Sequence, residues 1–98
     1  AESTVKTVPR VILLMAIHRD GPDLYRVCVQ AQPGEGESVL PERLALNLLD
    51  AQQTILATGM AEQGDTFIQL PYFQGAISEA FEIEMVLEDN VHNEAFVI

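Results

Sequence analysis

Tryptophan is absent from this chain, cysteine occurs once, and lysine and arginine stop at position 43. A single thiol, Cys28, cannot close an intrachain disulfide or build a multi-cysteine zinc site. Small secreted domains commonly lean on disulfides, so a reducing compartment, the cytoplasm, is the expected setting. No basic stretch followed by an apolar run and a small-residue cleavage site opens the chain, so no signal peptide is read. The longest uninterrupted apolar run, residues 11–17, is far short of the roughly 20 residues of a membrane helix. From position 44 onward there are nine acids and no Lys or Arg. Nucleic acid and anionic membranes reward basic side chains, so neither is an expected partner.

What the chain does have is aliphatic material: 98 residues, 48% hydrophobic, with only six Phe and Tyr together. A chain of this length buries roughly 60–70% of its unfolded surface, enough for one core and not two. Residues 1–8 read as a flexible N-terminal arm and residues 9–98 as a single domain. The formal charge of −10 serves solubility in the plainer reading. In the sharper one it attracts a basic partner or a divalent cation.

The dominant period is two. In Phe81-Glu82-Ile83-Glu84-Met85-Val86-Leu87-Glu88 the odd positions are apolar and three of the four even ones are Glu. Successive strand residues point to opposite faces, so this is a strand with one dry and one acidic face. Six further strands are expected, over 9–18, 24–32, 44–49, 54–60, 66–70 and 91–98. Asp20-Gly21-Pro22-Asp23, Gly34-Glu35-Gly36, Gly64-Asp65 and Asp89-Asn90 supply turn chemistry between them. The segment 44–49, rich in Leu and Ala, also suits a short helix. Seven short strands with no room for crossover helices predict an all-β fold. Its form is a two-sheet antiparallel β-sandwich of immunoglobulin-like architecture. The paired Cys and core Trp of antibody domains are missing.

Residues 11–17 are apolar at every position, although one face of a sandwich strand should be wet. Val11, Leu13, Met15 and Ile17 are assigned to the core. Ile12, Leu14 and Ala16 are then either covered by connecting segments or meant for contact with an upstream domain, another protein or a second copy, as a weak homodimer. Glu82 and Glu84 form the second candidate interaction surface. Catalysis finds no footing: Cys28 lies mid-strand beside Arg26, and Ser3, Ser38, Ser78, His18 and His92 sit in no recognisable nucleophile setting. No cofactor is called for. Calcium is the alternative worth carrying. Glu62, Asp65, Glu88, Asp89 and Asn90 lie in or beside connections, and the ion takes 6–8 oxygens.

Several phrases in order carry a family resemblance: Val29-Gln30-Ala31-Gln32-Pro33, Leu40-Pro41, Leu44-Ala45-Leu46-Asn47-Leu48-Leu49-Asp50, Phe67-Ile68-Gln69-Leu70, Phe73-Gln74-Gly75, Glu79-Ala80-Phe81-Glu82-Ile83 and Glu94-Ala95-Phe96-Val97-Ile98. From position 11 to 98 the chain resembles the C-terminal part of a cyanobacterial family, domain of unknown function 1822. Two turns depart from the family pattern: 50–52 lacks a hairpin Gly, and 75–79 lacks a second Gly. The resemblance implies a C-terminal module of a larger cytoplasmic protein and implies no activity. The expectation is therefore a non-catalytic interaction or accessory module, with calcium-dependent binding as the second reading.

Overall fold

The computed structural model describes residues 2–8 and 10–98, with side chains from Arg10 onward. Ala1 and Pro9, the latter the expected start of the first strand, lie outside the described residues. Among the described residues nine strands run in chain order: β1 Glu2–Val8, β2 Val11–Arg19, β3 Leu24–Pro33, β4 Ala45–Asp50, β5 Ile55–Met60, β6 Ile68–Gln69, β7 Phe73–Ala76, β8 Ala80–Leu87 and β9 Asn90–Val97. They form two antiparallel sheets. In the first, β1, β2 and β3 lie side by side, and β3 pairs on its far side with both β6 and β7. The second has the order β5-β4-β8-β9. None of the described residues forms a helix long and apolar enough to cross a membrane.

The two-residue alternation places the core. Val11, Leu13 and Met15 of β2, Val27, Val29 and Ala31 of β3, Leu46 and Leu48 of β4, and Phe81, Ile83 and Met85 of β8 are all buried. They belong to one apolar cluster, with Ile17 packed against it. Leu40, Leu44, Ala61 and Leu70, from the connections, close its ends. No buried side-chain nitrogen or oxygen among the described residues lacks a partner. Phe81 stacks on Phe96 at 5.6 Å and lies tilted to Phe73 at 5.0 Å, adding ring geometry to an otherwise aliphatic interior.

The segment 44–49, which also suited a helix, is a strand from Ala45 onward. It is held on both sides by antiparallel ladders to β5 and β8. Tertiary pairing overrides the helix preference of Leu and Ala. A register shift between Leu48 and Leu49 lets both be buried on consecutive positions. The expected arm over 1–8 meets a strand there: residues 2–8 pair with β2 from Glu2 opposite Ile17 to Val8 opposite Val11. The expected strand over 66–70 is shortened to β6, and a further short strand, β7, follows it before β8. Pro71 has no N–H to give the ladder, so pairing stops after Leu70 N–H donates to Val29 at 3.0 Å. It resumes with Phe73 opposite Val27.

The two turns short of glycine solve their geometry with other residues. Gln53 and Ser78 adopt left-handed backbone conformations, with φ of 65° and 73°. At the first, Asp50 Oδ1 accepts from the N–H groups of Gln52 and Thr54, both at 2.9 Å. At the second, Ser78 N–H donates to Ile98 O at 2.7 Å. Gly34, in contrast, is required by space. A Cβ there would stand 2.8 Å from the Arg10 carbonyl carbon and 3.0 Å from Val11 N, and backbone atoms do not yield. Urea denaturation is expected to show Gly34→Ala destabilised by about 1–3 kcal/mol. Ser78→Gly should be stabilised by about 0.5–1 kcal/mol, through relief of left-handed strain.

Candidate functional site

The outer face of the first sheet carries the apolar set singled out in the sequence. Ile12, Leu14 and Ala16 alternate with buried Val11, Leu13 and Met15, and each is only half-buried. The described segments therefore leave this face partly open. Across β3, Gln32 stands opposite Ile12, Gln30 opposite Leu14 and Cys28 opposite Ala16. Gln32 Nε2 donates to Gln30 Oε1 at 3.0 Å, and Gln69 of β6 pairs with Gln30. On the other flank, Thr7, Val5 and Ser3 of β1 stand in register with Ile12, Leu14 and Ala16. The face is thus an apolar row bordered by glutamines. Strands β2, β3, β6 and β7 contain no Asp or Glu at all, in a chain with fifteen acids. Beyond Cys28 on the same face of β3, Arg26 lies over the Tyr72 ring, 5.4 Å from the centroid.

Glu82 and Glu84 occupy the outer face of the second sheet, on the opposite side of the molecule. The two predicted surfaces are therefore separate. These carboxylates are tied into their own sheet: Asn47 Nδ2 donates to Glu84 Oε1 at 2.9 Å, and Thr58 Oγ1 donates to Asn47 Oδ1. Gln53 Nε2 reaches Glu82 Oε1 at 3.2 Å. The Thr58–Asn47–Glu84 row spans β5, β4 and β8, three strands far apart in sequence. Nothing in a single strand's alternation announces it. The glutamine border was visible as Gln30 and Gln32 but carried no assignment.

The calcium candidates divide between two connections. Glu62 and Asp65 lie between β5 and β6, while Glu88, Asp89 and Asn90 turn β8 into β9. Met60, Ala45, Val86 and Val91 form one cross-strand row, which puts both connections at the same end of the sheet. β4 nevertheless stands between β5 and β8. Asp65 Oδ2 is engaged by Glu62 N–H at 2.8 Å, closing its own turn. Among the described residues no three His, Cys, Asp or Glu side chains gather as a metal-holding group. His18 and His92 are exposed. His18 lies seven positions along β2 from Val11, whereas His92 and Val11 share the wall of one cavity. A strand advances about 3.3 Å per residue, so the two histidines belong to opposite ends of β2.

The fold and these surfaces define an all-β, two-layer domain whose two outer faces differ: strands β2, β3, β6 and β7 of one sheet hold no Asp or Glu, and the other sheet carries Glu82 and Glu84. A family model described as "Protein of unknown function (DUF1822)" matches residues 3–97. The chain belongs to that family, over essentially its whole length. No curated protein and no solved structure matches it.

The separation of the acidic connections has a direct test. Calcium is expected to leave the Tm unchanged in differential scanning calorimetry. A rise that Asp65→Asn and Asp89→Asn abolish would instead place an ion there.

Proposed function

We propose that this chain is a non-catalytic interaction module that docks another protein, or another domain of a longer chain, through the outer face of its first sheet. One observation carries the reading: in an acidic molecule, strands β2, β3, β6 and β7 of this sheet hold no carboxylate, and the central row of the face is Ile12, Leu14 and Ala16. Depletion of charge at the centre, with a polar border, is the composition of an interface core. The outward positions of β8 are Glu82 and Glu84, so isoleucine and leucine at the outward positions of β2 need a reason.

The non-catalytic part of the reading is supported by how Cys28, His18 and His92 are placed. Cys28 stands opposite Ala16, and His18, two pairs further along, stands opposite Arg26. No hydrogen bond joins the thiol to either imidazole among the described residues, whereas nucleophilic chemistry needs an engaged base and a group that orients it. The architecture is read as immunoglobulin-like. Strands β2, β3 and β6/β7 follow the A-B-E succession of that fold, and β5-β4-β8-β9 follows C′-C-F-G. A lone thiol supports a cytoplasmic setting, within a larger cyanobacterial protein whose C-terminal part this domain would form. The Glu82–Glu84 face remains a secondary contact surface for a basic partner.

Cys28 is the only cysteine and lies on the proposed face, so it gives a direct test. A photo-crosslinker attached there, in extracts of cells that make the protein, is expected to yield a discrete adduct identifiable by mass spectrometry. The same reagent at Thr58→Cys in a Cys28→Ser background, on the other sheet, should not. Leu14→Glu should abolish the adduct while leaving the circular dichroism spectrum intact. Equal labelling from both faces, or an adduct indifferent to Leu14→Glu, would sink the reading.

A further inference from the structure

The end of the sandwich where β2 begins and β8 finishes is hollow. Two adjoining cavities, of about 380 and 560 Å³, share Arg10, Leu87 and Glu88 in their walls. The first is lined by Val11, Leu44 and Met85, all core residues no more than 4% exposed, so its floor is hydrocarbon. The second opens outward past Pro41, Glu42 and Arg43. A cleft with an apolar floor and a few polar groups at its mouth is the usual form of a small-molecule site, and the volume falls in that range.

The charge at the mouth says what kind of molecule. Arg10 pairs with Glu37 at 3.5 Å. Arg19 donates to the carbonyls of Gly21 and Pro22 at 3.1 and 3.0 Å, and Arg26 lies over Tyr72. Arg43 alone of these arginines has no side-chain partner among the described residues, in a chain of net charge −10. The one acid whose side chain is not described, Glu2, stands in register with Ile17, toward the far end of β2. The backbone from which the exposed Arg43 side chain springs is held in place. Its N–H donates to Ala61 O at 2.9 Å, its φ is 69°, and the next residue, Leu44, is bonded back to Pro41 and buried.

A guanidinium presents a planar fork that matches a carboxylate. Glu42 and Glu88 at the same mouth repel a second negative charge, which disfavours phosphate monoesters. We propose that this cleft binds a small apolar monocarboxylate, with its carboxylate on Arg43 and its hydrocarbon body over Leu44, Met85 and Leu87. The site lies at the end of the sandwich, off the proposed docking face, and stands whether or not that face has a partner.

The test is an NMR titration of the intact chain with octanoate, octanol and octylammonium. Octanoate is expected to shift the Leu44, Leu87 and His92 signals saturably. It should bind about tenfold more tightly than octanol, the worth of one charge-assisted hydrogen bond, with octylammonium weakest. Arg43→Gln should reduce octanoate to the level of octanol, and Glu88→Gln should tighten octanoate alone. Absence of saturable shifts, equal affinity for the three head groups, or an octanoate affinity unchanged in Arg43→Gln would each overturn the proposal. The head-group series on the unaltered chain is decisive even if the variant folds poorly.

Discussion

Two aliphatic layers meet face to face in this molecule. Val11, Leu13, Val27, Val29 and Ala31 lie on one side, with Leu46, Leu48, Ile83 and Met85 on the other. Each large side chain fully removed from water contributes roughly 1.5–3 kcal/mol, and strand geometry allows only every second residue to take part. Every surface feature is a by-product of that restriction. The residues between the core positions must point outward, and their chemistry is set by something other than stability. In β8 they are glutamates. In β2 they are isoleucine, leucine and alanine.

That difference divides the molecule electrically. The strands of the second sheet hold Asp50, Glu82, Glu84 and Glu94, whereas those of the first hold Glu2 alone. With a core containing no buried polar or charged residue among the described ones, little lies between the layers to soften the contrast. A field of this kind keeps most of the surface repulsive toward other acidic molecules while leaving one side approachable. The guanidinium of Arg43, without a side-chain partner among the described residues, is a local exception at the end of the sandwich, which is why it stands out against so negative a background.

The fold was largely legible because alternation is a local signal. Phe81, Ile83 and Met85 announce their buried face, with Glu82 and Glu84 between them, and Tyr25 to Gln32 does so nearly as well. What local reading could not supply were relations between distant segments. The ladder from Thr58 through Asn47 to Glu84 needs β5, β4 and β8 placed side by side. The cleft needs Arg10, Leu44 and His92 brought to one end by three separate turns. Leu44 to Leu49 was ambiguous because its residue types favour a helix and only its neighbours make it a strand. Ser78 and Gln53 show the same limit in turns: a left-handed residue was required at each, and the usual glycine signal was missing.

Pro71 has an effect beyond ending β6. The outer neighbour of β3 is not one strand but two short pieces, separated by a residue that cannot donate from its backbone. An incoming chain finds no unbroken row of amides on that flank along which to extend the sheet. Growth by strand addition is therefore interrupted there. The domain can present an apolar face without that side seeding a fibre.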